Sequence, residues 1–121
     1  MDSRKLARLC RELADNRKAE KIVILDLRKL TSITDYFVLA TGTSAPHVRA
    51  IVDEISDQIH LAHDLKPRAM DGAPGSAWVV LDYESVIVHI MRPETRAHYD
   101  LEGFWNDAPR VKTRVRKTGA Q

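Results

Sequence analysis

Apolar and polar residues alternate along this chain in periods that change several times, and each change marks an element. Within residues 4–19, Leu6, Leu9, Cys10 and Leu13 fall on one helical stripe, which predicts a first helix with a single buried face and Asp2 or Ser3 as its N-cap. Cys10 lies inside that stripe, so it is expected to act as a small buried hydrophobe rather than as a nucleophile. Ile22-Val23-Ile24-Leu25 and Tyr36-Phe37-Val38-Leu39-Ala40 are short, almost continuous apolar runs, and predict two central strands covered on both faces. Thr31, Ser32, Thr34 and Asp35 between them make a polar turn too short for a helical crossover, which favours an antiparallel connection.

After Thr41-Gly42-Thr43, Ser44 is placed to cap a second helix with Pro46 in its first turn, running to about Ala62. Val48, Ile51, Val52, Ile55, Ile59 and Ala62 share one narrow arc at 100° per residue, while Asp53, Glu54 and Asp57 mostly point elsewhere, so one face packs on a sheet. The Pro and Gly content of residues 66–75 leaves room only for a weak edge strand, Arg68 to Asp71. Ala77–Leu81 and Val86–Ile90 are two strong strands whose polar link, residues 82–85, suits a hairpin. Pro93-Glu94 opens a short helix to about Leu101, with Gly103 expected to end it. The order α-β-β-α-β-β-β-α predicts an α/β domain with a mixed five-stranded sheet and helices packed on it.

At 121 residues and 44% apolar content the chain can form one hydrophobic core, expected over residues 1–107. No apolar run approaches the roughly 20 residues of a spanning helix, the N-terminus lacks an apolar leader, and Cys10 is the one cysteine. These features point to a cytoplasmic protein with no membrane contact and no disulfide or thiolate-metal chemistry. The net charge of +2 hides an asymmetry: Arg110, Lys112, Arg114, Arg116 and Lys117 put +5 into the last twelve residues, leaving −3 for the rest. Residues 108–121 are therefore expected to form a basic tail able to touch RNA, the alternative being a plain solvated terminus.

Ser32-Ile33-Thr34-Asp35-Tyr36-Phe37-Val38 followed by Ala40-Thr41-Gly42-Thr43-Ser44 resembles the signature of the Iojap-like ribosomal silencing factors. Trp78–Tyr83, Val86–Met91 and Tyr99–Glu102 ahead of Trp105 resemble the second half of that family in the same order, so the likeness covers about residues 3–106. It implies a nucleotidyltransferase-like fold without the enzyme's activity, often dimeric. It also implies docking on a large-subunit protein at the inter-subunit face, exclusion of the small subunit, and repression of translation under nutrient limitation. The weak third strand and the apolar helix end leave surface that a homodimer would cover. The basic segment after Trp105 lies beyond the resemblance.

A nucleotidyltransferase needs a Gly-Ser loop and, soon after it, two carboxylates on one strand to hold magnesium. Gly42-Thr43-Ser44 mimics the loop, but the nearest acidic pair, Asp82 and Glu84, comes about forty residues later at a hairpin, so no catalytic residue, cofactor or metal is expected. A strand-to-helix turn capped by Ser44 accounts for the loop better than an anion site does. His60 and His63 have the spacing of a metal pair without a third ligand and are expected as exposed helix-end histidines. His89 shares a sheet face with Ile87 and Met91 and is expected as a hydrogen-bonded core or interface residue. The aromatics carry more information. Trp78, Tyr83, Tyr99, Phe104 and Trp105 exceed what so small a core needs near its C-terminus, and with their neighbours Asp82, His98 and Leu101 they form the expected protein-binding surface.

Overall fold

The computed structural model describes residues 1–72 and 75–112. Their order is α1 (Ser3–Asn16), β1 (Glu20–Asp26), β2 (Tyr36–Thr41), α2 (Ala45–His63), β3 (Ala69–Asp71), β4 (Trp78–Asp82), β5 (Val86–Met91), α3 (Pro93–Tyr99) and α4 (Leu101–Phe104). Asp2 caps α1 by accepting the Lys5 N–H at 2.8 Å, and Ser44 caps α2 by accepting that of His47 at 3.1 Å, each satisfying an N–H that a helix start leaves free. The strands form one mixed sheet in the order β1-β2-β5-β4-β3, in which β2 and β5 run parallel and all other pairs antiparallel.

Both long helices cover one face of this sheet. Leu6, Ala7, Cys10, Leu13 and Ala14 of α1 and Val48, Ile51, Val52, Ile55 and Ile59 of α2 meet Ile24, Val38, Ala40, Val79, Leu81, Val88 and Ile90 in the main core. Cys10 is fully buried there, and desolvation pushes its thiol up to about 12, as suits an inert hydrophobe. The opposite face carries a smaller core of Leu25, Leu27, Leu39, Met91 and Ala108, roofed at one end by Leu101 and Trp105.

Three expectations need correction. β1 is buried on both sides but is an edge strand, because two-sided burial here comes from α1 above and the C-terminal segment below rather than from a strand on each flank. Its outer edge is partly closed: the Asp26 N–H donates to Pro109 O at 2.8 Å and the Val111 N–H to Ile24 O at 2.9 Å, with Arg110 opposite Leu25. The first residues of the expected tail therefore belong to the fold. Finally, Gly103 does not end α3. Asp100, at φ 44°, does so in the left-handed conformation, and Gly103 sits inside the added turn α4, where a Cβ would collide with the Asp100 carboxylate.

Candidate protein-docking site

Alternation along the strands decides which side chains reach the sheet face that α1 and α2 leave free. The registers Leu39↔His89, Phe37↔Ile87, Val80↔His89 and Trp78↔Met91 place Phe37, Trp78, Val80, Ile87 and His89 together on it. All but His89 are only partly covered. α3 and α4 bring Tyr99 and Phe104 to the rim of this surface, 55% and 76% exposed.

The rings form a continuous series. Tyr99 lies 4.8 Å from Trp78, Trp78 lies 5.8 Å from His89, and His89 lies 4.5 Å from Phe37. Phe37 then stands edge-on to Trp105 at 6.1 Å, and Trp105 edge-on to Phe104 at 5.1 Å. Such tilted and T-shaped pairs suit the ring quadrupoles, so each ring is in favourable contact with the next. His89 is its polar centre. The Trp78 Nε1–H donates to His89 Nδ1 at 3.1 Å, which leaves the imidazole proton on Nε2, and burial lowers the ring to about 4. The histidine is therefore neutral at ordinary pH.

The elbow between α3 and α4 is held by Arg96. Its Nε and Nη2 donate to the two Glu102 carboxylate oxygens, each at 3.0 Å, and its Nη1 donates to Thr41 Oγ1 at 2.9 Å. The guanidinium is 8% exposed, and its hydrogen bonds hold the Glu102 carboxyl below the usual range. This clamp ties the elbow that carries Tyr99, Leu101, Phe104 and Trp105 to the end of β2 at Thr41.

Of the residues expected at the site, Trp78, Tyr99, Leu101, Phe104 and Trp105 are brought together, and His98 joins the rim by an edge contact to Tyr99 at 4.8 Å. Asp82 shares the sheet face but sits at the far end of β4, where it pairs with Arg68 Nε at 3.2 Å and accepts the Glu84 N–H at 2.7 Å. Tyr83 does not belong to the surface. It is 6% exposed, packed with Val79 and Leu81 in the main core on the other face, so this expectation is corrected. Arg110 stands beside Glu102, Lys112 is exposed, and Arg114, Arg116 and Lys117 lie outside the described residues. Phe37 and His89 are additions to the expected site; their alternation with buried neighbours is visible in the sequence, but not that this face lacks a long helix.

The parts of a transferase site stand apart. Gly42 follows the Thr41↔Met91 end of the sheet, whereas Asp82 pairs with Ile87 at the other end. The loop amides already have partners: Gly42 N–H donates to Met91 O at 3.0 Å and Thr43 N–H to His47 Nδ1 at 2.9 Å. A Cβ on Gly42 would come within 2.7 Å of Val48 Cγ2, so this glycine serves a close strand-to-helix turn.

Comparison with known proteins places the chain. The profile of the family described as "Ribosomal silencing factor during starvation" matches residues 1–121. The chain is 32% identical over 109 residues to the ribosomal silencing factor of Bacillus subtilis, covering 90% of this chain and 92% of that protein. It is 33% identical over 92 residues to the mouse "mitochondrial assembly of ribosomal large subunit protein 1", covering 72% of this chain and 39% of the relative. A crystal structure of a Chromobacterium violaceum protein superposes with a TM-score of 0.83 at 28% identity, covering 99% of this chain and 96% of that one. With the family profile, the sequence likeness and the superposed fold in agreement over most of its length, the chain belongs to the ribosomal silencing factor family.

Proposed function

We propose that this chain silences ribosomes as a steric factor, without catalysis. Its aromatic surface docks on a protein of the large subunit at the inter-subunit face, and the bound domain keeps the small subunit from joining, which represses translation when nutrients are short. The observation that carries this reading is the uninterrupted series Tyr99–Trp78–His89–Phe37–Trp105–Phe104 on the sheet face opposite α1 and α2. Rigid aromatics with partial exposure are the usual anchors of protein interfaces, and a handful of them carry most of the affinity. The mouse relative's name, which speaks of large-subunit assembly, supports the choice of subunit.

The reading is tested by sedimenting ribosomal subunits with and without the protein. Added wild-type chain should co-sediment with large subunits and reduce the joined particle, and Trp78→Ala and Tyr99→Ala should lose both effects while remaining folded. Retention of large-subunit binding by both variants would show that the docking face lies elsewhere.

A further inference from the structure

Charge is segregated along this chain, and the fold gathers the positive parts at one sheet edge. The first 29 residues carry nine basic and five acidic side chains, residues 30–109 carry five basic and twelve acidic ones, and the last twelve carry five basic and none acidic. The two basic ends meet because residues 109–111 run antiparallel beside β1. Arg4, Arg28 and Lys29 stand at the Asp26 end of that strand. Lys18 and Lys21, both exposed, flank its start, and Arg110 and Lys112 lie along its edge.

The two carboxylates best placed to neutralise this edge are already engaged. Asp26 is held by Arg28 through bonds of 2.9 and 2.7 Å, and Arg4 stands 4.0 Å away as a second cation. Glu102 is held by Arg96 through two 3.0 Å bonds, and Arg110 is the second cation there at 3.9 Å. Asp2, Asp15, Glu20, Asp35, Asp100 and Asp107 are the other acids of the neighbouring segments, but along the edge strand and the segment beside it Lys18, Lys21, Lys29 and Lys112 are exposed and add to Arg4 and Arg110. The ridge is roughly 20 Å long at about 3.3 Å per strand residue, which suits a partner with repeated negative charge rather than one small anion.

We propose that the β1 edge, with residues 109–112 on it, is a phosphate-backbone contact for RNA, made by cationic groups distinct from the aromatic rings although Arg110 adjoins the α4 elbow. A lipid surface fits less well. The exposed positions of α1 are Arg4, Lys5, Arg8, Glu12 and Asn16, with no apolar side chain to enter a headgroup layer. Membership of a ribosomal family supplies RNA as the polyanion at hand. The inference does not depend on the aromatic surface being the docking site.

The test is fluorescence anisotropy of the full-length chain with a labelled duplex RNA of about 20 base pairs, titrated at several salt concentrations, since neutralising phosphates makes affinity fall steeply with salt. The edge variant combines Arg4→Gln, Lys29→Gln, Arg110→Gln and Lys112→Gln; the tail variant combines Arg114→Gln, Arg116→Gln and Lys117→Gln. The edge variant should bind at least tenfold more weakly, with the log–log salt slope reduced by roughly 0.7–0.9 for each phosphate that is no longer neutralised. Trp78→Ala should bind RNA as wild type does. Unchanged RNA binding by the edge variant would overturn the proposal, as would a weakening confined to the tail variant, or equal binding to phosphatidylserine vesicles with the same salt dependence. Should the fourfold variant melt early, exposed Lys29→Gln and Lys112→Gln, made singly, must each reduce the slope.

Discussion

The two faces of the sheet solve different problems with similar residues. The face under α1 and α2 is closed by two amphipathic helices of 14 and 19 residues, and Ile51, Ile55, Ile59, Leu81, Val88 and Ile90 vanish from solvent there. Among the described residues the other face is roofed at one end, by two short helices held through the pair of buried Arg96 with half-buried Glu102, and leaves a run of rings partly open. Apolar side chains stabilise the fold on the first face. On the second they are kept in mutual contact but available, which is the condition for an interface whose affinity comes from a few anchors.

Removing the clamp should have the largest effect. Glu102→Ala strands a guanidinium that is 8% exposed, and losing one partner of such a pair costs about 3–5 kcal/mol. Denaturant melts should show that decrease, and large-subunit binding should fall with it because Tyr99 and Trp105 lose their support. Ile55→Ala, in the closed core, should cost about 2–5 kcal/mol of stability yet leave the affinity of the folded protein for large subunits unchanged. If it weakened binding as much as it weakened folding, the two faces would not be separable.

Acid distinguishes the faces next. His89 has a folded value of about 4 against 6.5 when unfolded, so the unfolded chain takes up its proton first as pH falls. The full stability is therefore present above pH 6.5 and about 3 kcal/mol of it is lost on the way down to pH 4. Comparing wild type with His89→Phe across this range should show a shallower decline in the variant. Trp78→Ala should cost binding at least about 2 kcal/mol, roughly 30-fold, since it removes the ring between Tyr99 and His89. The smallest effect belongs to Ser44→Ala, where losing the α2 cap should lower stability by about 1 kcal/mol without altering binding.

Much of the fold is legible along the chain because its local rules agree with one another. The helical arcs of Leu6–Leu13 and Val48–Ile59, the Ser44 cap and the hairpin between residues 82 and 86 follow from periodicity and turn chemistry alone. The site is half legible. Trp78, Tyr99, Phe104 and Trp105 stand out as an excess of aromatics, yet the same excess takes in Tyr83, which shares the parity of Val79 and Leu81 and points into the main core. Phe37 and His89 are the reverse case, being strand residues among apolar neighbours whose face remains uncovered.

Periodicity and caps along the chain were enough for the two long helices, the five strands to within a few residues and the basic character of the last twelve residues, since these depend on neighbours a few positions away. Tertiary structure alone decided that β1 lies at an edge, that β5 inserts beside β2, that Arg96 meets Thr41 and Glu102, and which sheet face stays partly bare. Alternation tells that a strand has two faces, but it cannot tell which one the helices will cover; that choice is made only when the whole chain packs.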